Sequence, residues 1–501
     1  MWEQVDVGIA NGGASSTTTT STSTEPCSPG VDGGSSVWSS QYGSFAAHPF
    51  PAGSLGGIAV DSEGNVVVAG AFTGSIDLGC GALMGTDLVW NGYTGYSGFV
   101  AKLDPSGACL WSQSFGASQD YDGGIPPGYG YAPGGWVGGV AVDASNNVIL
   151  LGEFGGSFVV GNDQLTGDGL FAAKLDPAGA PLWSATFGDS VFRGSYLSVA
   201  VDAQSNVFLT GELSGSADIA GHVLTSPSTG TNLVIKLDPG GGPMWGKTFD
   251  AWNTLDGQTF VSGANIAVDA SGNVFLTGEA SDSADFGCGA PLSLGENSAF
   301  LAKLDPDGGA CVWADGLSST APGNSLGTGS IGAGVAVTPG GQIAVTGMFI
   351  GPGSLEFGAG AVTGTADQNL FVVTLDAGGG LVWAKAFGAS GEIYGEAIAV
   401  DATGNIFVTG TVLGSVDFGS GTLTSTGANG DLFVASFDGG GTLRWAKLFN
   451  ASTAALSYLA IAASPTCRVV VAGDFEGSLD FGGVPLTSAT AEAVFVAALT
   501  Q

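Results

Sequence analysis

Apolar and polar positions along this chain alternate in short runs broken by polar turns, and the whole pattern recurs. The segments starting at Ile58, Val140, Val199, Ile266, Val335, Ile398 and Ile461 read IAVDSEGNVVVAG, VAVDASNNVILLG, VAVDAQSNVFLTG, IAVDASGNVFLTG, VAVTPGGQIAVTG, IAVDATGNIFVTG and IAASPTCRVVVAG. Each is an apolar run, a polar turn, a second apolar run and a glycine. A Gly/Ser segment such as GSVDFG follows, then a third run (FVAKLD, FAAKLD, LVIKLD, FLAKLD, FVVTLD, FVASFD) and a Pro/Gly turn. A fourth run carries tryptophan: CLWSQSF, PLWSATF, PMWGKTF, CVWADGL, LVWAKAF, LRWAKLF. Runs this short, bounded by Asp, Gly and Pro, predict strands, four to a repeat.

The seventh copy stops at VFVAALTQ and lacks its tryptophan run, which stands at the other end of the chain as VWSSQY, residues 37–42. The series is then Trp38, Trp111, Trp183, Trp245, Trp313, Trp383 and Trp445. Four positions on lie Tyr42, Phe115, Phe187, Phe249, Leu317, Phe387 and Phe449. Positions i and i+4 share a face of a strand, so these form one packed stripe repeated around the fold. Four-stranded units in seven copies predict an all-β, seven-bladed β-propeller over residues 37–501, its ring closed by the N-terminal strand. An outer-membrane barrel, the competing all-β fold, needs alternating segments of about 10 residues. Runs such as NVVVAG are shorter and continuously apolar.

The VDASGNVFLTG stretch resembles the bacterial SBBP-type β-propeller repeat. The array over 37–501 resembles propeller proteins that large-genome soil bacteria export or anchor at their surface through Ser/Thr tethers. Residues 1–36, with the tract SSTTTTSTSTEPCSPG, read as such a disordered tether. No basic segment followed by an apolar stretch is visible at the start, and no run is long and apolar enough for a spanning helix. The resemblance implies the fold and an extracellular or cell-surface location. Thr338 and Ser464 depart from it, standing where the repeat has Asp.

The composition fits this picture. Among 501 residues there are 89 glycines, and 10 Lys+Arg face 44 Asp+Glu, for a formal net charge of -34. With so few cations to cluster, nucleic acid is not the partner. Much of the acid excess is periodic. Asp61, Asp143, Asp202, Asp269 and Asp401 open the first turn of their repeats. Asp104, Asp176, Asp238, Asp305, Asp376 and Asp438 open the second, and Asp77, Asp218, Asp285, Glu356, Asp417 and Asp480 form a third series. Asp at the head of a turn accepts backbone N–H groups, so these are turn residues first. Calcium ligation is the other use of such loops, but converging oxygens at calcium-loop spacing are absent. No cofactor is expected. Lys102, Lys174, Lys236 and Lys303 share one repeat position, as do Lys247, Lys385 and Lys447, which makes them structural.

Catalytic motifs are missing. His48 and His222 are the two histidines, and neither sits in a nucleophile or metal motif. The Asp-x-x-Gly-x-x-x-Trp spacing (Asp104, Gly107, Trp111) resembles the tryptophan-docking motif of quinoprotein propellers, where the Trp packs between blades. The adjacent cysteines of several such enzymes are not present. Glu153, Glu212 and Glu279 share the position after the second-run glycine, which also reads as structural.

Length variation is confined to the face opposite the tight turns. The first repeat carries MGTDLVWNGYTGYSG and the linker ASQDYDGGIPPGYGYAPGGW, which hold Trp90, Tyr93, Tyr96, Tyr121, Tyr129, Tyr131 and Trp136. Aromatics on rigidly held loops suit protein or carbohydrate recognition. Alternatively they pack on one another to hold two long loops. The reading is a monomeric, non-enzymatic propeller that binds a protein or glycan ligand. A polysaccharide hydrolase or lyase using the funnel and a purely structural adhesion module are the rivals. Cysteines co-occur by repeat: Cys80 with Cys109 and Cys288 with Cys311, which pairs them. Cys27 and Cys467 remain as the third pair. Three disulfides place the chain in an oxidising compartment.

Overall fold

The computed structural model describes residues 33–46, 53–85, 89–90, 93–117, 134–161, 163–187, 197–213, 215–226, 231–251, 261–320, 329–358, 360–451 and 455–501. Every regular element among them is a β-strand. The first full repeat sets the plan. Its strands Gly53–Val60, Val66–Phe72, Ser97–Leu103 and Cys109–Ala117 pair antiparallel in sequence order. The other repeats follow, down to Leu456–Ser464, Arg468–Asp480 and Leu486–Thr500. That last repeat takes Ser36–Ala46 as its fourth strand, with Trp38 opposite Ala498 and Tyr42 opposite Val494.

Val66–Phe72 and Ser97–Leu103 are buried on both faces, because each sheet is sandwiched between its neighbours. This is why the runs are continuously apolar rather than alternating. The apolar side chains gather into seven clusters, and each joins two consecutive repeats. One of them unites Leu55, Val68 and Phe99 of the first repeat with Val470 and Val494 of the last.

The tight turns have one design. Asp61 N–H donates to Asn65 O and Gly64 N–H to Asp61 O, at 2.9 and 3.0 Å. Asp104, Ala108 and Gly107 repeat this at the third-to-fourth turn, at 2.7 and 2.9 Å. The Asp61 carboxylate accepts the N–H groups of Glu63 and Asn65 and the Asn65 side chain, and also pairs with Lys102 Nζ at 2.8 Å. Asp143 and Lys174 pair likewise at 2.7 Å. Each tryptophan docks on the next repeat. Trp38, Trp111, Trp183, Trp245, Trp313 and Trp383 donate their indole N–H to Pro105, Pro177, Pro239, Pro306, Ala377 and Gly439 carbonyls at 2.9–3.4 Å.

Between the second and third strands the chain makes a β-hairpin arm. In the first repeat it is Ser75–Asp77 with Ala82–Met84, and in the sixth Ser415–Asp417 with Thr422–Thr424. In the second, fourth and seventh repeats the two long strands run straight into it. The arm does not stay on the loop-rich face. It lies along the outer wall against the fourth strand of the preceding repeat, pairing Ala251 with Ala284, Ser319 with Leu355 and Ala451 with Leu479. Its aromatic meets the residue four beyond that repeat's tryptophan: Phe286 on Phe249, Phe418 on Phe387 and Phe481 on Phe449, with ring centroids 5.5, 5.1 and 4.9 Å apart. At the tip, Asp77 and Asp417 accept the N–H groups of the residues two and four on, and Asp285 and Asp480 those two on, so these four acids of the third series do turn chemistry as well.

Cys80 is disulfide-bonded to Cys109 and Cys288 to Cys311, as their co-occurrence predicts. No described cysteine is free, Cys467 included. Cys27 lies outside the described residues, so the third pairing is not placed. No described helix is long and apolar enough to cross a membrane.

Candidate functional site

The face opposite the tight turns is built from the starts of first and third strands and the ends of second strands. First strands carry a register shift here: between Leu55 and Gly57, Val137 and Gly139, Gly395 and Ala397, and Ser457 and Ala460. A bulge breaks the ladder and leaves backbone groups without strand partners. Side chains of adjacent repeats reach backbone N–H groups at and near these shifts. Both oxygens of Asp474, which is fully buried, accept Leu55 N–H at 3.1 and 3.0 Å. Glu396 accepts Leu459 N–H and the Thr411 hydroxyl, both at 3.4 Å, and Gln368 Oε1 accepts Ile393 N–H at 3.3 Å. One task is thus performed from the second, first and third strand of three different repeats. Sequence reasoning missed it because no single repeat position carries it.

Burial sets the electrostatics. It pushes the Glu396 carboxyl up to about 8, against the two hydrogen bonds that favour its charge. Glu279, at the end of the fourth repeat's second strand, is pushed up to about 7 by burial alone. Glu492 is raised by burial, with Glu476 adding repulsion while the Ser457 hydroxyl donates to it. Tyr394 is raised by burial and by the charges of Glu392 and Glu396. The buried cations Lys102, Lys174, Lys236 and Lys303 lie at the opposite ends of their strands, beside the tight turns. Burial thus raises several acids of this face, and Glu396 holds its proton at neutral pH.

The predicted aromatic residues divide. Val89–Trp90 and Tyr93–Thr94 form a two-residue ladder with Trp90 opposite Tyr93. Tyr96 O accepts Gly135 N–H at 3.1 Å, so the first repeat's long connection touches the start of the second repeat. Trp136 is half-buried against the cluster between the second and third repeats and donates to Glu153 Oε2 at 3.3 Å. Tyr121, Tyr129 and Tyr131 lie outside the described residues, as does His48. His222 is exposed on the third repeat's arm.

Residues 382–411 match the family model of the SBBP beta-propeller repeat. They run from the fifth repeat's docking tryptophan strand through the first two strands of the sixth. This is a β-propeller. No curated protein matches the propeller's sequence. Among solved structures, the Dos1 propeller is 9% identical over 91% of this chain and 95% of its own, with a TM-score of 0.40. Drosophila Plexin A in complex with Semaphorin 1b is 8% identical over 83% and 84%, at 0.36. A gluconolactonase from Xanthomonas campestris is 14% identical over 72% and 85%, at 0.32. Likenesses this distant assign the propeller neither a partner nor a reaction.

Proposed function

We propose that this chain is an exported, seven-bladed propeller that binds a protein or a carbohydrate through its loop-rich face, without catalysis and without a cofactor. Contacts among first strands support the seven-bladed ring. Gly53–Val60 touches Gly134–Val142, and the series continues through Ser198–Val201, Val261–Val268, Ser330–Val337, Ile393–Val400 and Leu456–Ser464 back to Gly53–Val60. The disulfides support export. The observation that carries the binding reading is the inequality of the two faces. One is a set of similar turns of five residues, six in Asp305–Ala310, whose polar groups bond one another. At the other, the connections between repeats differ in length along the sequence, and the first repeat carries the Trp90–Tyr93 ladder.

The test is binding of neutral and acidic glycans on an array by the full chain, with Trp90→Ala/Tyr93→Ala as the variant. Loss of a wild-type signal, with Tm within a few degrees, is the expected outcome. An unchanged signal overturns the assignment of the site. A polysaccharide-active enzyme is the second reading, and Glu279 is the observation that favours it. A carboxyl holding its proton near pH 7 suits a general acid. Turnover of a polysaccharide by the wild type that vanishes in Glu279→Gln would put the enzyme first.

A further inference from the structure

The seven arms are alike in shape, yet only those of the first and fourth repeats are stapled by disulfides among the described residues. In both cases the staple joins the two parts that grip the preceding repeat's fourth strand. In the first repeat that strand is Ser36–Ala46. One jaw is the turn Asp104–Ala108: Pro105 O receives the Trp38 indole N–H at 2.9 Å, and the indole lies 2.8 Å from where a Cβ on Gly107 would stand. The other jaw is the arm, whose Ile76 and Leu78 share a buried cluster with Tyr42. Cys80 lies two residues beyond Leu78 and Cys109 two beyond Gly107, with Cα atoms 5.5 Å apart in the disulfide. The fourth repeat builds the same clamp. Pro306 and Gly309 hold Trp245, Phe286 holds Phe249, and Cys288–Cys311 joins the jaws.

The gripped strands differ in one respect. Pro243–Ala251 follows its own third strand through the tight turn at Asp238–Gly242. Ser36–Ala46 has no covalent turn to its ladder partner Leu486–Thr500, which lies at the far end of the sequence and meets Gly34 and Ser35 through hydrogen bonds alone. It is held in its sheet by that ladder, by the hydrogen bonds of Gly34 and Ser35 with Thr500, and by the clamp.

We propose that Cys80–Cys109 is a redox latch on this strand, whose opening lets Ser36–Ala46 leave and offers the freed edge of Leu486–Thr500 to the same strand of a second copy. Cys80 is exposed and Cys109 half-buried, so a dithiol reductant can reach the bond. Its thiolate attacks one Sγ, a mixed disulfide forms, and its second thiol closes a disulfide of its own. Two electrons and two protons pass to the protein, leaving Cys80 and Cys109 as thiols. With the jaws free of one another, the turn and the arm hold the strand separately rather than as one clamp, and an edge left unpaired when the strand departs is a template for another chain.

Hydrogen exchange on the full chain tests this, comparing oxidised wild type, dithiothreitol-treated wild type, Cys80→Ser/Cys109→Ser and Cys288→Ser/Cys311→Ser. Amides 38–42 should lose about tenfold or more of their protection in the first double variant and in the reduced wild type, while 66–72 and 406–412 keep theirs. The second double variant should leave 38–42 protected. Reduced wild type at high concentration should elute as a dimer. Unchanged protection at 38–42 after reduction overturns the latch, as does equal loss in both double variants. Raised exchange at 38–42 with a strictly monomeric reduced protein overturns the second copy as the occupant. Should the first double variant fail to fold, the reduced wild type still decides.

Discussion

A glycine and a tryptophan define this fold at the level of single residues. Both kinds of tight turn need one residue at positive φ, but they fill it differently. The first-to-second turns use Gly64, Asn146, Ser205, Gly272, Gly341, Gly404 and Cys467, whereas the third-to-fourth turns use Gly107, Gly179, Gly241, Gly309, Gly379 and Gly441. The reason is the docked indole. A Cβ on Gly441 would lie 2.6 Å from Trp383, and one on Gly404 would meet nothing within 4 Å. Both alanine variants carry the φ penalty of about 1 kcal/mol, and Gly441→Ala should cost at least ~1–2 kcal/mol more than Gly404→Ala in urea unfolding. The acids of the loop-rich face supply a pH dependence. Glu396 titrates at about 8 in the fold, against 4.5 as its ordinary value. Between these limits the unfolded chain gives up this proton and the folded chain keeps it, so stability falls as pH rises and levels off above 8. Glu396→Gln keeps an acceptor for Leu459 N–H, turns an amide N–H toward the Thr411 hydroxyl, which can accept it, and has no proton to lose. Its Tm should match wild type near pH 5 and exceed it by about 3 °C or more at pH 8.5 in calorimetric scans.

Among the elements, the sheet strands were legible and the arms were not. Runs such as VVVAGAF and the Asp-Pro-x-Gly turns mark strand and turn through period and turn chemistry. The arm segments read as loops because their strands are as short as three residues, too few to show a period. Their signal is small: the apolar positions flanking the tip Asp, such as Val416 and Phe418 around Asp417, are both buried. The candidate site was legible only as a collection of residue types. The long aromatic segments stood out by composition. The acceptors at the bulges did not, because Asp474, Glu396 and Gln368 occupy different positions in their repeats. Arms are also where adjacent sheets are sewn together, and that function is testable. Phe418 is buried and packs on Phe387, with tilted rings, across the seam between the fifth and sixth repeats. Phe418→Ala should cost about 3–5 kcal/mol in denaturant unfolding. Exchange should rise first along 381–388 and 415–424, the two sides of that seam.

Taken as a whole, the propeller brings its first and last strands together in an ordinary turn. Thr500 N–H donates to Ser35 O and Gly34 N–H to Thr500 O, at 2.9 and 2.8 Å, the same two bonds that Asp104, Ala108 and Gly107 make. Gly34 has φ 77 and lies under Trp445 as Gly107, φ 86, lies under Trp38. What this seam lacks is a carbonyl for Trp445, whose indole N–H is buried without a partner among the described residues. Joining Gln501 directly to Gly33 makes Thr500-Gln501-Gly33-Gly34-Ser35, a five-residue turn of the standard kind. A permutant so joined, with residues 1–32 removed and new ends opened between Gly240 and Gly241, should fold, stay monomeric and melt within a few degrees of the parent. Aggregation, or a Tm lower by more than about 10 °C, would contradict the equivalence of the two turns. The split turn also orders events in time. Within the propeller, a ribosome makes Ser36–Ala46 before the other strands and Leu486–Thr500 after them. The propeller's earliest strand therefore waits, its tryptophan and tyrosine uncovered, through the synthesis of the sheet it will finally complete.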